Sequence, residues 1–224
     1  MNENVKKIGL GVVVAILCAL AYYFLYWTKT PVYSANIIRE SIAKHDVVTF
    51  EKHVDMDTLY GKGYDDAIIA IDRIEGNGIS TNPFAMGILQ MMKPAIVNEL
   101  KAKTLEEIKG VDNGQSSKKN QATKMAEDLQ EKADVKNADF KDITVVSKEK
   151  GEAIVALTLH NKKFNKDFEL KVKMAELQDG TWKLKEIINL VEFLVEVDKA
   201  DKALRASEKN ASWFVKRKLN IVVM

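Results

Sequence analysis

Cysteine occurs once in this 224-residue chain, histidine and proline three times each, and glycine only 11 times. The single cysteine, Cys18, lies inside an apolar stretch, so no disulfide within the chain can brace the fold. Scarce glycine and proline, beside an apolar fraction of 46%, exclude collagen-like and wholly disordered classes. Charge of one sign is lacking too. The 34 Lys and Arg are nearly balanced by 32 Asp and Glu, and the net charge of +2 is interspersed. No sustained field is left to attract nucleic acid, and no nucleic-acid partner is expected. Internal repeats are also absent.

What the chain does have is one long hydrophobic run. Lys6 and Lys7 precede IGLGVVVAILCALAYYFLYW, Ile8 to Trp27. As a helix its roughly 20 residues would cover about 30 Å, the thickness of a bilayer's hydrocarbon core. The run is read as a single transmembrane helix over 8–27, after a cytoplasmic tail over 1–7. The competing reading is a cleaved signal peptide, with Ala19-Leu20-Ala21 as the cut. Tyr22, Tyr23, Phe24, Tyr26 and Trp27 favour retention, because aromatic rings suit the headgroup interface. Leu17 stands before Cys18 where lipoprotein processing needs a small residue, so Cys18 is read as part of the span. Lys6 and Lys7 favour a cytoplasmic N-terminus, although Lys29, Arg39 and Lys44 blunt that signal. The expected location is a cell membrane, single-pass, with the domain extracytoplasmic.

About 195 residues follow, enough for one domain. The spacing predicts a single α+β domain over 30–206. It has a helical part over 30–136, a four-stranded antiparallel sheet over 139–189 and a helix over 190–206. Thr30-Pro31 and Asn82-Pro83 read as a cap followed by a first-turn proline, and Asp46 and Asp57 as further caps. Tyr33, Ile37, Ile38 and Ile42 are expected to face a core. In the next helix Leu59, Ala67, Ile68, Ile71 and Ile74 take that role, with Gly61 and Gly63 weakening its first turns and Gly76 near its end. Met86, Leu89, Met92, Ile96 and Leu100 form one more apolar side, interrupted by Pro94, where a kink or break is expected. Met86, Met91 and Met92 are read as core filler before a binding surface. Gly110 to Lys119 is a loop, and Ala122, Met125, Ala126, Leu129 and Ala133 mark another helix.

After Asn137 the period changes to alternation. Strands are expected over Phe140–Ser147, Glu152–His160, Asp167–Leu177 and from Trp182 to about Asn189, with turns at Lys150-Gly151 and Asp179-Gly180. Glu169, Lys171 and Lys173 alternate with Phe168, Leu170, Val172 and Met174, so one face of the sheet is wet. Asn189 would cap the helix over 190–206. The tail over 207–224, with SWFVKRKLNIVVM, is too short to span and is expected to be a last strand or a loose end.

Chemistry-bearing residues are few. His45 and His53, flanked by Asp46 and Asp55, would need one continuous helix to converge on a metal, and Asp46 interrupts it. His160 sits at a strand end. Asp55 with Asp57, and Asp65 with Asp66, are accounted for by capping and solvation. Gly61 to Gly63 lacks the spacing of a phosphate loop. No catalytic, cofactor-binding or metal residue is assigned, and no cofactor is expected.

The stretch PVYSANIIRESIAKHDVVTFEKHVDMDTL after the run, and GTWKLKEIINLVEFL later, resemble a bacterial family of membrane-anchored proteins defined as a domain of unknown function. The arrangement of helices then sheet is similar to cystatin-like and nuclear-transport-factor-like α+β folds, whose curved sheets can enclose a pocket. The resemblance implies no catalytic residues. The expectation is a non-enzymatic anchored protein with two partners, the membrane through its single span and an envelope protein or other envelope component through its domain. The alternative is a small-molecule-binding or enzymatic domain with a pocket on the concave face of the sheet.

Overall fold

The computed structural model describes residues 3–110 and 138–222. Among them are six helices: α1 (Glu3–Leu25), α2 (Pro31–Ala43), α3 (Val47–His53), α4 (Met56–Glu75), α5 (Pro83–Lys109) and α6 (Leu190–Val222). Four strands, β1 (Ala138–Glu149), β2 (Glu152–Asn161), β3 (Lys166–Glu176) and β4 (Trp182–Ile187), form one antiparallel sheet in the order β1-β2-β3-β4. This is the α+β class expected from the change of period. The helix expected around Ala122 to Ala133 lies outside the described residues.

Local chemistry sets most boundaries. Thr30 accepts the Tyr33 N–H at 3.2 Å with Pro31 in the first turn, Asp46 accepts the Thr49 N–H at 3.0 Å, and Asn82 accepts from Phe84 and Ala85. Gly76 closes α4 at φ 65°, the left-handed conformation glycine adopts without penalty. The cap of α4 is Asp55 and not Asp57. Val54 is drawn into an extended bridge with Leu184, and Asp55 N–H donates to the Leu184 carbonyl at 2.8 Å, so the helix starts two residues earlier than the sequence suggested. It then runs unbroken through Gly61 and Gly63. Helix α1 likewise takes in residues 3–7, read above as a tail, since nothing there stops a helix.

The sheet buries one face. Ala153, Val155, Val172, Met174 and Trp182 pack under Ala35 and Ile38 of α2. Toward the other end Phe168 meets Val191, Leu194 and Val197 of α6 and Ala67 and Ala70 of α4. The opposite face carries ion pairs such as Lys141–Asp167, Lys171–Glu169 and Lys173–Glu152, as the alternation predicted. Strand β1 is the open edge, broken by register shifts at Phe140/Asp142 and Val145/Ser147, which make it a poor template for further strands.

Three local expectations are corrected. Helix α5 is continuous through Pro94, which is exposed, so the Gln90 carbonyl left without its helical donor lies on the solvent side. Helix α6 does not end at Ala206 but continues to Val222, because residues 207–222 contain neither glycine nor proline; they form neither a strand nor a separate tail. On α2 the buried positions are Pro31, Ser34 and Ser41, while Ile42 is 47% exposed. Ile38 of the expected face does pack on the core, but two of the most buried positions are serines, which periodicity of apolar residues does not mark.

Candidate functional site

Two places concentrate interactions between distant parts of the chain. The first is the junction between α1 and the sheet. Leu25 ends α1, a single 3-10 turn covers Trp27–Lys29, and Thr30 caps α2 at once. Trp182, with 0% exposure, gathers this segment: its indole N–H donates to the Lys29 carbonyl at 3.0 Å and its backbone N–H donates to Ser34 Oγ at 2.9 Å. Its carbonyl accepts from His53 Nδ1 at 2.9 Å. The Lys29 ammonium reaches the carbonyl of Asp179 in the β3–β4 turn, and Lys52 pairs with the Asp179 carboxylate at 2.8 Å. The Lys52 ammonium and the Thr181 hydroxyl and N–H hold that carboxyl far below its usual range. Gly180, at φ 78°, is the hairpin residue the sequence pointed to, and a side chain there would meet Lys29. The segment that follows the apolar helix is therefore tied to the sheet.

The second place is a recess of about 360 Å³ beside α4 and β4, lined by Lys62, Asp65, Asp66, Glu186, Ile187 and Ile188. Lys62 pairs with Glu186, and Asp65 with Lys93 at 2.6 Å. Burial, then the nearby charges of Asp65, Glu186 and Glu192, hold the Asp66 carboxyl above its usual range. Sequence reasoning grouped Asp65 with Asp66 but could not see Glu186 and Glu192, which arrive from the far end of the chain.

The histidines stay apart. His45, at φ 59°, contacts the Ile108 carbonyl through Nδ1 at 2.6 Å, His53 is held by Trp182, and His160 meets Asp167 at 2.7 Å. Among the described residues no three His, Cys, Asp or Glu side chains are placed to hold a metal ion. Asp57 pairs with Lys101 and Asp55 with Lys185, so the two carboxylates of that pair point to different elements. Asn189 sits where a cap is expected, but its side chain serves β3, accepting the Lys171 N–H at 2.7 Å and donating to the Glu169 carbonyl at 2.9 Å.

The Asp55–Lys185 pair makes a pH prediction. Lys185 first, then the Thr58 backbone and hydroxyl, lower the Asp55 pKa from 3.8 to about 2 despite partial burial. A carboxyl depressed in the folded state adds stability above its unfolded pKa, and this is lost as pH falls through the folded value. Asp55→Asn should lower the unfolding midpoint at neutral pH. Its midpoint should converge on that of the unsubstituted chain between about pH 4 and pH 2, measured by urea titration across that range.

These features define a class, an α+β domain mounted without a linker on an N-terminal apolar helix. Compared with protein-family models, with curated proteins and with solved structures, the chain matches none.

Proposed function

We propose that this is a single-span membrane protein that holds its domain against the membrane surface, outside the cytoplasm, to bind a partner protein or an envelope component. The observation that carries the reading is α1. With the turn that follows it, it supplies an 18-residue apolar window, Val12–Lys29, long enough to cross a bilayer, and none of that window is buried against the rest of the chain. Such a surface needs an apolar surrounding that the domain does not supply. Because Lys29 is tied to Trp182, a domain on this mount stands close to the bilayer.

A binding role without catalysis is supported by the packing of the sheet. The face that could have enclosed a pocket is filled by Trp182, Phe168 and their neighbours, with both aromatic side chains almost wholly buried. The charged opposite face is left to meet solvent or a partner. Membership in the bacterial anchored family is part of this proposal, and Pro31 and Trp182, in the two stretches that resemble it, have structural duties here.

The test is a Lys150→Cys substitution in the β1–β2 turn, in a Cys18→Ser background, combined with extraction of membranes at alkaline pH. Labelling by an impermeant maleimide in intact cells, with the chain retained in the membrane pellet, is expected. Labelling that requires permeabilisation reverses the orientation, release at alkaline pH removes the span, and a mature chain starting after Ala21 replaces the anchor by a signal peptide.

A further inference from the structure

Helix α5 is apolar on two sides. Its inner side, Met86, Leu89, Met92 and Ile96, packs on Tyr64 and Ile68 of α4. Its outer side is also uncharged. Phe84, Ile88, Met91, Ala95, Asn98 and Ala102 follow one another at helical spacings of three and four, and all six are exposed, Phe84 at 78% and Met91 at 80%. The run covers about 28 Å of helix without a charge. Exposed helix faces normally carry charge, as α2 does with Arg39 and Glu40. Lys93 lies half a turn away, on the inner side, where it pairs with Asp65 of α4.

The order of sizes along this face indicates its occupant. The bulky residues lie at the N-terminal end and the small ones at the C-terminal end. Phe84 with Ala102, Ile88 with Asn98, and Met91 with Ala95 are all centred on position 93. An antiparallel copy of the same helix would set each large side chain opposite a small one in all three pairs. A parallel copy would set Phe84 on Phe84 and leave the alanines facing a gap. We propose that the outer face of α5 pairs with the same face of a second copy of this chain, antiparallel, about a two-fold axis that crosses the outer face at the level of position 93. The contact is isologous, so it closes at two copies.

Its position in the fold separates it from the proposed membrane mount. Helix α4 leaves β4 at Leu184 and passes Glu186 and then Glu192, running away from Trp182. Helix α5 returns antiparallel to it, through Lys93–Asp65 and Lys101–Asp57, so Phe84 lies at the end remote from Lys29. A helix pair of this length is smaller than the roughly 800 Å² per partner of a stable soluble complex. Covalent capture is therefore the suitable readout.

The experiment uses the full chain, purified in detergent, in a Cys18→Ser background and treated with a short bismaleimide. In the antiparallel pair the two copies of residue 91 are offset by about 6 Å along the helix, those of residue 84 by about 27 Å. Met91→Cys should give at least tenfold more crosslinked dimer than Phe84→Cys. Adding Phe84→Lys to Met91→Cys should reduce the dimer at least tenfold, with helical circular dichroism unchanged. Equal crosslinking of both single-cysteine variants overturns the antiparallel pairing. Monomer with residue 91 reactive leaves the face unpaired. Monomer with residue 91 blocked assigns the face to a contact within the same chain; this and the unpaired monomer each overturn the proposal. The reading on purified protein fails or succeeds separately from the membrane reading.

Discussion

Trp182→Ala should destabilise the domain by about 3–5 kcal/mol, the range for removing a fully buried large aromatic side chain. The side chain has 0% exposure and sits among Ala153, Val155, Val172 and Met174, which cannot collapse into the vacated space without moving two strands. The substitution also removes the donor to the Lys29 carbonyl. A second variant separates the two contributions. Trp182→Phe keeps most of the volume and loses the indole N–H, and should cost about 1 kcal/mol for the lost bond plus a smaller packing term. The backbone bonds to Ser34 and His53 survive in both. Urea unfolding followed by circular dichroism gives the stability difference. Limited proteolysis around Lys29 gives the second readout, since the alanine variant should become cleavable there before the domain unfolds. Equal resistance in both forms would mean that Trp182 is a core residue without a part in the mount.

The two sides of α5 should respond oppositely to the same kind of truncation. Ile96→Ala, at a position with 0% exposure against Tyr64 and Ile68, should cost about 2–5 kcal/mol. Met91→Ala, at 80% exposure, should change the stability of the monomer by no more than about 0.5 kcal/mol. The comparison is made by chemical denaturation at low protein concentration, where pairing between chains does not contribute. If Met91→Ala proves as costly as Ile96→Ala, the outer side of α5 is covered within a single chain.

Much of the local structure was legible because its causes are local. A side chain that caps its own helix does so within three residues, so Thr30, Asp46 and Asn82 announce themselves. The β3–β4 hairpin follows from Asp179-Gly180 for the same reason. Where a residue's partner is distant, the reading failed in identifiable ways. Asp57 reads as the cap because the bond from Asp55 N–H to Leu184, which sets the true start, spans most of the chain. Asn189 looked like a cap because its hydrogen bonds to β3 leave no trace in its neighbours. Ser34 carries no mark of burial because a serine breaks the apolar pattern, and its reason for being buried is the Trp182 N–H.

The sequence by itself determined the class: an apolar N-terminal helix, a helical part and an antiparallel sheet with one wet face. Hydrophobic period and turn chemistry are properties of neighbouring residues, and they survive whatever the rest of the chain does. The tertiary structure alone decided that the turn after α1 is tied to the sheet through Trp182, that four carboxylates from α4, β4 and α6 gather near one recess, and that one apolar side of α5 is core while the other is open. Those outcomes depend on which surfaces meet, and an apolar residue written in a helix carries no mark of whether its face will be covered.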